Sequence, residues 1–120
     1  MTTSSTKIVN VRVQYIRPMY ANLKEWMDDK NNIYIGRKGI VFIDGERFPK
    51  HDSVWANPFK ISENDNRENA IAKYEQYIRK KIEKENLYGE LKKLKGKILG
   101  CWCKPEKCHG DVLLKLLNEQ

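Results

Sequence analysis

Short runs of alternating hydrophobic and polar residues dominate the first half of the chain and predict β-strands. Residues 7–13 alternate and are rich in valine, which predicts a first strand, and residues 32–37 predict a second one. Two further apolar runs flank Asp44-Gly45, a dipeptide that favours a tight hairpin turn. The first half is therefore predicted to contain two strands and a β-hairpin, with a short amphipathic helix within residues 20–30.

In the second half of the chain, apolar residues recur at helical spacing and no longer alternate with polar ones. One face of a long helix is marked by apolar residues three or four positions apart, namely Ile71, Tyr74, Ile78 and Ile82. Asp65, with Glu68 three residues later, predicts the start of this helix. Leu87, Leu91 and Leu94 predict a second helical piece, which ends at Gly96.

A final strand and helix complete the predicted fold. Residues 98–103 are apolar and predict a buried strand, Lys104-Pro105 interrupt it, and a leucine-rich helix follows. This order predicts an α/β fold, in which a small mixed or mostly parallel sheet is covered by helices and carries a β-hairpin insertion. Residues 7–120 are predicted to form a single α/β domain, and residues 1–6 a disordered N-terminal tail.

Composition narrows the class of protein. The chain has 120 residues, of which 40% are hydrophobic and 32% charged, as in an ordinary globular domain. No apolar run approaches the roughly 20 residues that a bilayer requires, so no membrane span is expected. Three cysteines are an odd number and two of them lie one residue apart, which favours a reducing compartment over a disulfide scaffold. The expected location is cytoplasmic.

The net charge of +7 indicates an anionic partner. Most of the excess lies in residues 67–120, with 13 Lys and Arg against 8 Asp and Glu. A basic surface attracts nucleotides or nucleic acid. For the lysines that alternate with glutamates, however, a solvated helix face is favoured over a dedicated binding surface. The oligomeric state is not predicted.

The candidate chemistry lies where the last strand meets the last helix. Cys108, His109 and Asp111 are predicted to occupy the first turn of that helix, where the positive end of the dipole lowers the pKa of a thiol. In the catalytic hypothesis, either Cys108 is a nucleophile or Asp111 is a nucleophile or general base, and His109 is the acid or base partner.

Three other interpretations of the cysteines remain open. A zinc ion would take its ligands from one cluster, Cys101, Cys103, Cys108 and His109. In a redox interpretation, Cys103 and Cys108 form a reversible disulfide. In a purely structural one, the cysteines pack as small apolar groups and His109 caps the helix.

Four residues are candidates for substrate binding. Arg37 would contact a phosphate, Trp55 would stack on a base, and Asn57 would bind a polar edge. Cys103 completes the set, as the last residue of the predicted final strand. The alternatives are that Trp55 fills the core beneath a long loop and that Asn57 braces that loop.

The chain resembles a family known as domain of unknown function 4326, which occurs in phages, bacteria and large DNA viruses. Four motifs carry the resemblance: Tyr34-Ile35-Gly36-Arg37, Trp55-Ala56-Asn57-Pro58-Phe59, Leu99-Gly100-Cys101-Trp102-Cys103-Lys104-Pro105 and Cys108-His109-Gly110-Asp111. The resemblance covers roughly residues 7–118. Because this family has no established activity, the resemblance supports the choice of site residues and names no reaction. A viral member would lie in the host cytoplasm or nucleus.

The resulting hypothesis is an enzyme-like α/β domain that requires no cofactor. Its substrate would be a nucleotide, a nucleoside or a nucleic-acid base, and its reaction that of a hydrolase or transferase acting at an N-glycosidic bond or on a modified base. The alternative is a non-catalytic nucleic-acid-binding module, stabilised by zinc, in which the basic helices contact the nucleic acid.

Overall fold

The computed structural model describes residues 6–59, 66–104 and 106–119. Within these residues the chain forms five strands and five helices. In chain order they are β1 (Lys7–Asn10), α1 (Val13–Ile16), α2 (Leu23–Asp28), β2 (Asn32–Tyr34), β3 (Val41–Ile43), β4 (Glu46–Phe48), α3 (Arg67–Glu85), α4 (Tyr88–Lys92), β5 (Ile98–Cys101) and α5 (Gly110–Asn118). The predicted α/β class is confirmed.

Three of the strands form a parallel sheet in the order β1-β5-β2. The last strand is therefore central, with Ile98 opposite both Lys7 and Asn32. The other two strands, β3 and β4, form the predicted antiparallel hairpin. Its turn places Asp44 and Gly45 at positive φ angles of 52° and 80°, a backbone conformation that the Asp-Gly pair tolerates well.

Strand alternation divides the core into two clusters, one on each face of the sheet. Leu99 and Cys101 of β5 pack with residues of α3, α4 and α5. Ile98 packs on the other face, against a cluster that includes Trp26 of α2 and residues of the hairpin. A parallel sheet covered on both faces requires apolar residues on both faces of its strands, which explains the apolar run in β5.

The long helix α3 has the predicted buried face. Tyr74, Ile78 and Ile82 are buried and Ile71 packs at the edge of the same cluster. Asn66 caps the helix by accepting a hydrogen bond from the amide of Asn69 at 2.8 Å. The predicted cap, Asp65, lies outside the described residues. The second helical piece ends at Lys92, and Gly96 follows with a φ of 76°.

The first strand ends earlier than alternation predicts. Its last residue is Asn10, whose side chain accepts a hydrogen bond from the amide of Arg12 at 2.9 Å, and the chain then enters α1. At the other end of β1, Thr6 is buried and accepts a hydrogen bond from the amide of Gly96 at 2.8 Å. Thr6 therefore belongs to the folded domain, contrary to the predicted tail, and residues 1–5 lie outside the described residues.

None of the helices in the described part of the chain combines the length and the hydrophobicity that a membrane span requires.

The packing of β5 against α2 gives a test of the fold. A methyl group at Gly100 would lie 2.6 Å from Cγ1 of Val11 and closer still to the ring of Trp26. We expect Gly100→Ala to lower the free energy of unfolding by about 1–3 kcal/mol, since overpacking a core costs that much. Urea denaturation measures the change.

Gly89→Ala is the matched control, because a methyl group at Gly89 on α4 meets nothing within 4 Å. Alanine removes backbone freedom from the unfolded chain, so this variant should gain about 0.4–1 kcal/mol. Equal stability of Gly100→Ala and the unsubstituted protein would contradict the described packing of the sheet.

Candidate functional site

A cavity of about 650 Å³ lies at the carboxyl ends of the three parallel strands. A residue that follows each strand lines it: Arg12 after β1, Arg37 after β2 and Cys103 after β5. Cys108 and His109, immediately before α5, line it too. This is the edge at which parallel sheets bind ligands, and small-molecule sites occupy about 300–1,000 Å³.

The wall of the cavity is cationic. Four basic side chains line it, Arg12, Arg37, Arg67 and Lys107, and no Asp or Glu of the described residues does so. None of the four forms an ion pair with a carboxylate in that part of the chain. Positive charges around a concave surface concentrate the electrostatic field and attract anions.

Arg37 is held in place by the loop that contains Asn57. Its Nε donates to the carbonyl oxygen of Asn57 at 2.8 Å, and its Nη2 lies 3.5 Å from that of Phe59. Both Arg37 and Asn57 line the cavity. The Asn57 side-chain oxygen accepts from the amide of Phe59 at 2.9 Å and so braces the loop. Because a guanidinium has five donors, Arg37 retains donors for a ligand.

Trp55 does not line the cavity. Its side chain belongs to the core, only 3% of the residue is exposed, and its carbonyl oxygen accepts a hydrogen bond from the hydroxyl of Tyr74 at 2.7 Å. The prediction that Trp55 stacks on a base is therefore wrong. The large apolar area of an indole ring favours its burial beneath the loop, which was the alternative for this residue.

Two other aromatic residues line the cavity in its place, Trp102 and Phe59. The indole nitrogen of Trp102 donates to the hydroxyl of Tyr34 at 2.7 Å, and that hydroxyl donates to the carbonyl oxygen of Arg37 at 2.8 Å. Phe59 packs edge-to-face on Tyr77, with ring centroids 5.8 Å apart. These contacts fix the orientation of both rings beside the basic side chains.

Cys101 and Cys108 form a thiol pair within the cavity wall. Their sulfur atoms lie 3.4 Å apart, and both residues are buried. Cys101 ends β5, and Cys108 lies two residues before α5, slightly outside the first turn in which it was predicted. All three cysteines have free thiols.

The two thiols titrate as a coupled pair. The pKa of Cys101 is lowered to about 6, mainly by the hydrogen bond that its sulfur shares with that of Cys108, and burial opposes this effect. The backbone amides of Cys103 and Lys104 lower it further. The pKa of Cys108 is raised, mainly by the hydrogen bond with Cys101 and by burial of the thiol. The sequence predicted a lowered pKa for Cys108, whereas in the structure Cys101 is the cysteine of the pair whose pKa is lowered.

Cys103 lines the same cavity without taking part in the pair. It is half-buried, and its carbonyl oxygen accepts a hydrogen bond from the amide of Glu106 at 2.8 Å. The predicted disulfide between Cys103 and Cys108 is not favoured, because the partner of Cys108 is Cys101. For the zinc alternative, no three His, Cys, Asp or Glu side chains in the described ranges come together as metal ligands require.

His109 is a buried, neutral imidazole. Burial lowers its pKa, and its Nε2 lies 2.6 Å from the carbonyl oxygen of Ile35. A neutral ring must donate from Nε2 to a carbonyl, which leaves Nδ1 as an acceptor. The ring also packs edge-to-face on Tyr74, with centroids 5.0 Å apart. His109 occupies the N-cap position of α5, but its side chain makes no cap hydrogen bond.

Asp111 braces the turn before α5 and does not line the cavity. One of its oxygens pairs with Nζ of Lys104 at 2.9 Å, and the other accepts from the amide of Cys108 at 3.2 Å. This geometry gives no support to its predicted role as a nucleophile or general base. The carboxylate instead satisfies a backbone donor at the helix start, as acidic residues in a first turn often do.

Gly110 lets the turn approach the sheet. A methyl group there would lie 2.8 Å from Cδ1 of Ile8, 3.0 Å from Cδ1 of Ile35 and 3.3 Å from Sγ of Cys108. Glycine between the histidine and the aspartate thus permits the contact between β5 and the start of α5 that joins the two sulfur atoms.

Sequence reasoning missed several residues of the cavity. These are Arg12, Phe59, Arg67, Trp102 and Lys107. Cys101, which also lines the cavity, was predicted only as a zinc ligand. For Trp102 the signal was its place in one of the motifs that carry the family resemblance. Arg12 carried no such signal, because it lay inside the predicted first strand, whereas the observed strand ends at Asn10. Arg67 reaches the turn over a distance of 40 residues, donating to the Lys107 carbonyl at 3.0 Å.

Two relatives have similar sequences. The "Uncharacterized protein R718" of Acanthamoeba polyphaga mimivirus is 36% identical over an alignment of 93 residues, and the match covers 71% of this chain and 65% of that protein. The "Uncharacterized 12.4 kDa protein in nrdA-td intergenic region" of Enterobacteria phage T4 is 40% identical over 53 residues, or 43% of this chain and 49% of that protein. The matched parts therefore span less than two thirds of both relatives.

No solved structure matches the chain significantly. A family model described as "Domain of unknown function (DUF4326)" matches residues 20–119. The match begins after β1 and includes the thiol pair, Arg37 and the turn before α5. The resemblance noted in the sequence is thereby confirmed, and the chain belongs to the DUF4326 family.

Proposed function

We propose that the cavity binds a nucleotide. The observation that carries this proposal is the combination of four basic side chains, without a paired carboxylate in the described residues, and two aromatic rings around one cavity. Phosphate groups would contact the guanidinium groups, which match their geometry. The base would lie against Trp102 or Phe59, since every base has a face that stacks on an aromatic ring.

The start of α5 adds to the attraction for phosphate. Cys108 and His109 border the cavity immediately before this helix of nine residues. The helix dipole places partial positive charge at that end. The Nδ1 atom of His109 supplies an acceptor for a donor group of the sugar or base, because its Nε2 is already bound to the carbonyl of Ile35.

The proposal includes an enzymatic reaction of the hydrolase or transferase class. The Cys101 thiolate attacks an electrophilic carbon of the nucleotide, forming a carbon–sulfur bond while the bond to the leaving group breaks. Cys108 gives its proton to the leaving group. Water then displaces the sulfur and returns a proton to Cys108, which restores the pair. An N-glycosidic carbon or a modified base is the proposed site of attack.

Binding is tested by removing charge from the cavity wall. Arg12→Gln and Lys107→Gln each remove an exposed positive charge that lines the cavity. We expect each change to weaken the binding of nucleoside phosphates about tenfold, or about 1.4 kcal/mol. Isothermal titration with nucleosides and their mono-, di- and triphosphates measures the affinities.

Lys92→Gln is the control, because it removes the same charge from an exposed position on α4, outside the cavity. Its affinity should stay within twofold of that of the unsubstituted protein. Equal losses of affinity in all three variants would show that the net charge of the protein, and not the cavity, determines nucleotide binding. Absence of binding by every nucleotide would contradict the proposal.

The thiolate is tested by ultraviolet absorbance as a function of pH. In the Cys103→Ser protein, which retains the pair, one thiolate should appear as the pH rises through about 6, because the pKa of Cys101 is lowered to that value. Replacing Cys108 as well removes the hydrogen bond and should shift the midpoint towards that of an ordinary thiol, about 8.5. A midpoint above 8 in the protein with the intact pair would contradict the assignment.

The reaction is tested by incubating the protein with the nucleotides that bind and separating the products by chromatography. Cys101→Ser should retain nucleotide affinity and lose product formation at least a hundredfold, because a serine hydroxyl is not ionised at neutral pH. Equal product formation by Cys101→Ser would exclude the thiolate as nucleophile. Binding without any product would identify a binding protein.

A further inference from the structure

The thiol pair has a second chemistry that does not depend on a nucleotide. We infer that Cys101 and Cys108 form a redox-active dithiol, which a small hydroperoxide entering the cavity oxidises to a disulfide. Two observations support the inference: the sulfur atoms lie 3.4 Å apart, and both residues line the cavity. Cys101 ends the central strand and Cys108 lies in the turn before α5, so oxidation would join two elements that already touch.

The surroundings select Cys101 as the sulfur that reacts first. The hydrogen bond with Cys108 and those from the backbone amides of Cys103 and Lys104 favour its thiolate, the form that attacks peroxides. The pKa of Cys108 is raised by the hydrogen bond with Cys101, by burial and by the carboxylate of Asp111, and the backbone of Gly110 opposes this only in part. Cys101 is only 1% exposed, so a reagent must be small enough to enter the cavity.

Oxidation proceeds in two balanced steps. The Cys101 thiolate attacks an oxygen of the hydroperoxide, a sulfur–oxygen bond forms, and the oxygen–oxygen bond breaks. The departing oxyanion takes a proton from solvent, which leaves a sulfenic acid on Cys101. The sulfur of Cys108 then attacks the sulfur of Cys101, and the hydroxide that leaves takes the Cys108 proton to form water. Two electrons pass from the two thiols to the peroxide.

Cys103 provides an internal comparison. It lines the same cavity and is more exposed than the pair, yet the sulfur–sulfur contact joins Cys101 to Cys108. If exposure alone decided the outcome, Cys103 would be oxidised first. Because the sulfur–sulfur contact leaves Cys103 out, we expect Cys103 to keep its thiol.

The experiment treats the reduced protein with hydrogen peroxide and follows its intact mass and its thiols. We expect a loss of two hydrogens and, after denaturation, one alkylatable thiol out of three. Peptide mapping should find a disulfide between Cys101 and Cys108 and an alkylated Cys103. Dithiothreitol should restore all three thiols.

Three variants separate the roles of the cysteines. Cys103→Ser should lose two hydrogens as the unsubstituted protein does. Cys108→Ser should stop at a sulfenic acid on Cys101, trapped by dimedone, and Cys101→Ser should form no intramolecular disulfide. If either of these two variants fails to fold, peptide mapping of the oxidised, unsubstituted protein still shows which two cysteines form the disulfide. A disulfide that includes Cys103, or three unchanged thiols at an excess of peroxide, would overturn the inference. Since no nucleotide is added, failure of the proposed function would leave this result unaffected.

Discussion

The parallel pairing of β5 with both of its neighbours is the constraint on which the rest of the structure depends. Because β1 and β2 run in the same direction as β5, all three strands end at one edge, at Asn10, Tyr34 and Cys101. The chain leaves each strand at the same place. The residues that follow therefore meet around one cavity, although they are separated by up to about ninety positions in the sequence.

Hydrogen bonds at the carboxyl ends of the three strands continue the pairing of the sheet into the cavity wall. The amide of Val11 donates to the carbonyl of Cys101 at 2.9 Å, and the amide of Ile35 donates to that of Gly100 at 3.0 Å. The side chain of Asn10 donates to the carbonyl of Lys104 at 2.7 Å. These bonds hold the turn after β5 against β1, and the small volume of Gly110 brings the start of α5 close to it. Backbone pairing thus positions the sulfur atoms.

Part of the fold could be predicted from interactions between residues that are close in the sequence. The Asp44-Gly45 turn, the buried face of α3 and the final strand followed by a helix depend on neighbours within a few residues, and all three are present. The end of β1 was not predictable from alternation, because the strand ends where the side chain of Asn10 accepts a hydrogen bond from the amide of Arg12. The location of Trp55 depends on Tyr74, which lies 19 residues away, and no local pattern contains that contact. The burial of Trp55 was therefore not predictable from the sequence, whereas Trp102 lies in one of the motifs that the sequence shares with the family.

The pairing of Lys104 with Asp111 links the fold to the chemistry of the thiols. The hydrogen bond between the two sulfurs is the largest influence on both, but it does not by itself decide which sulfur carries the charge. The ammonium of Lys104 interacts with both sulfurs and favours ionisation of the pair, whereas the carboxylate of Asp111 opposes a thiolate on Cys108. The ion pair, joined at 2.9 Å, therefore places both of these charges beside the thiols while it holds the turn. Asp111 acts on the pKa of Cys108 without lining the cavity. Its position in the sequence, beside the cysteine and histidine, is the same for a catalytic residue and for one that braces the turn, so the sequence could not separate the two roles.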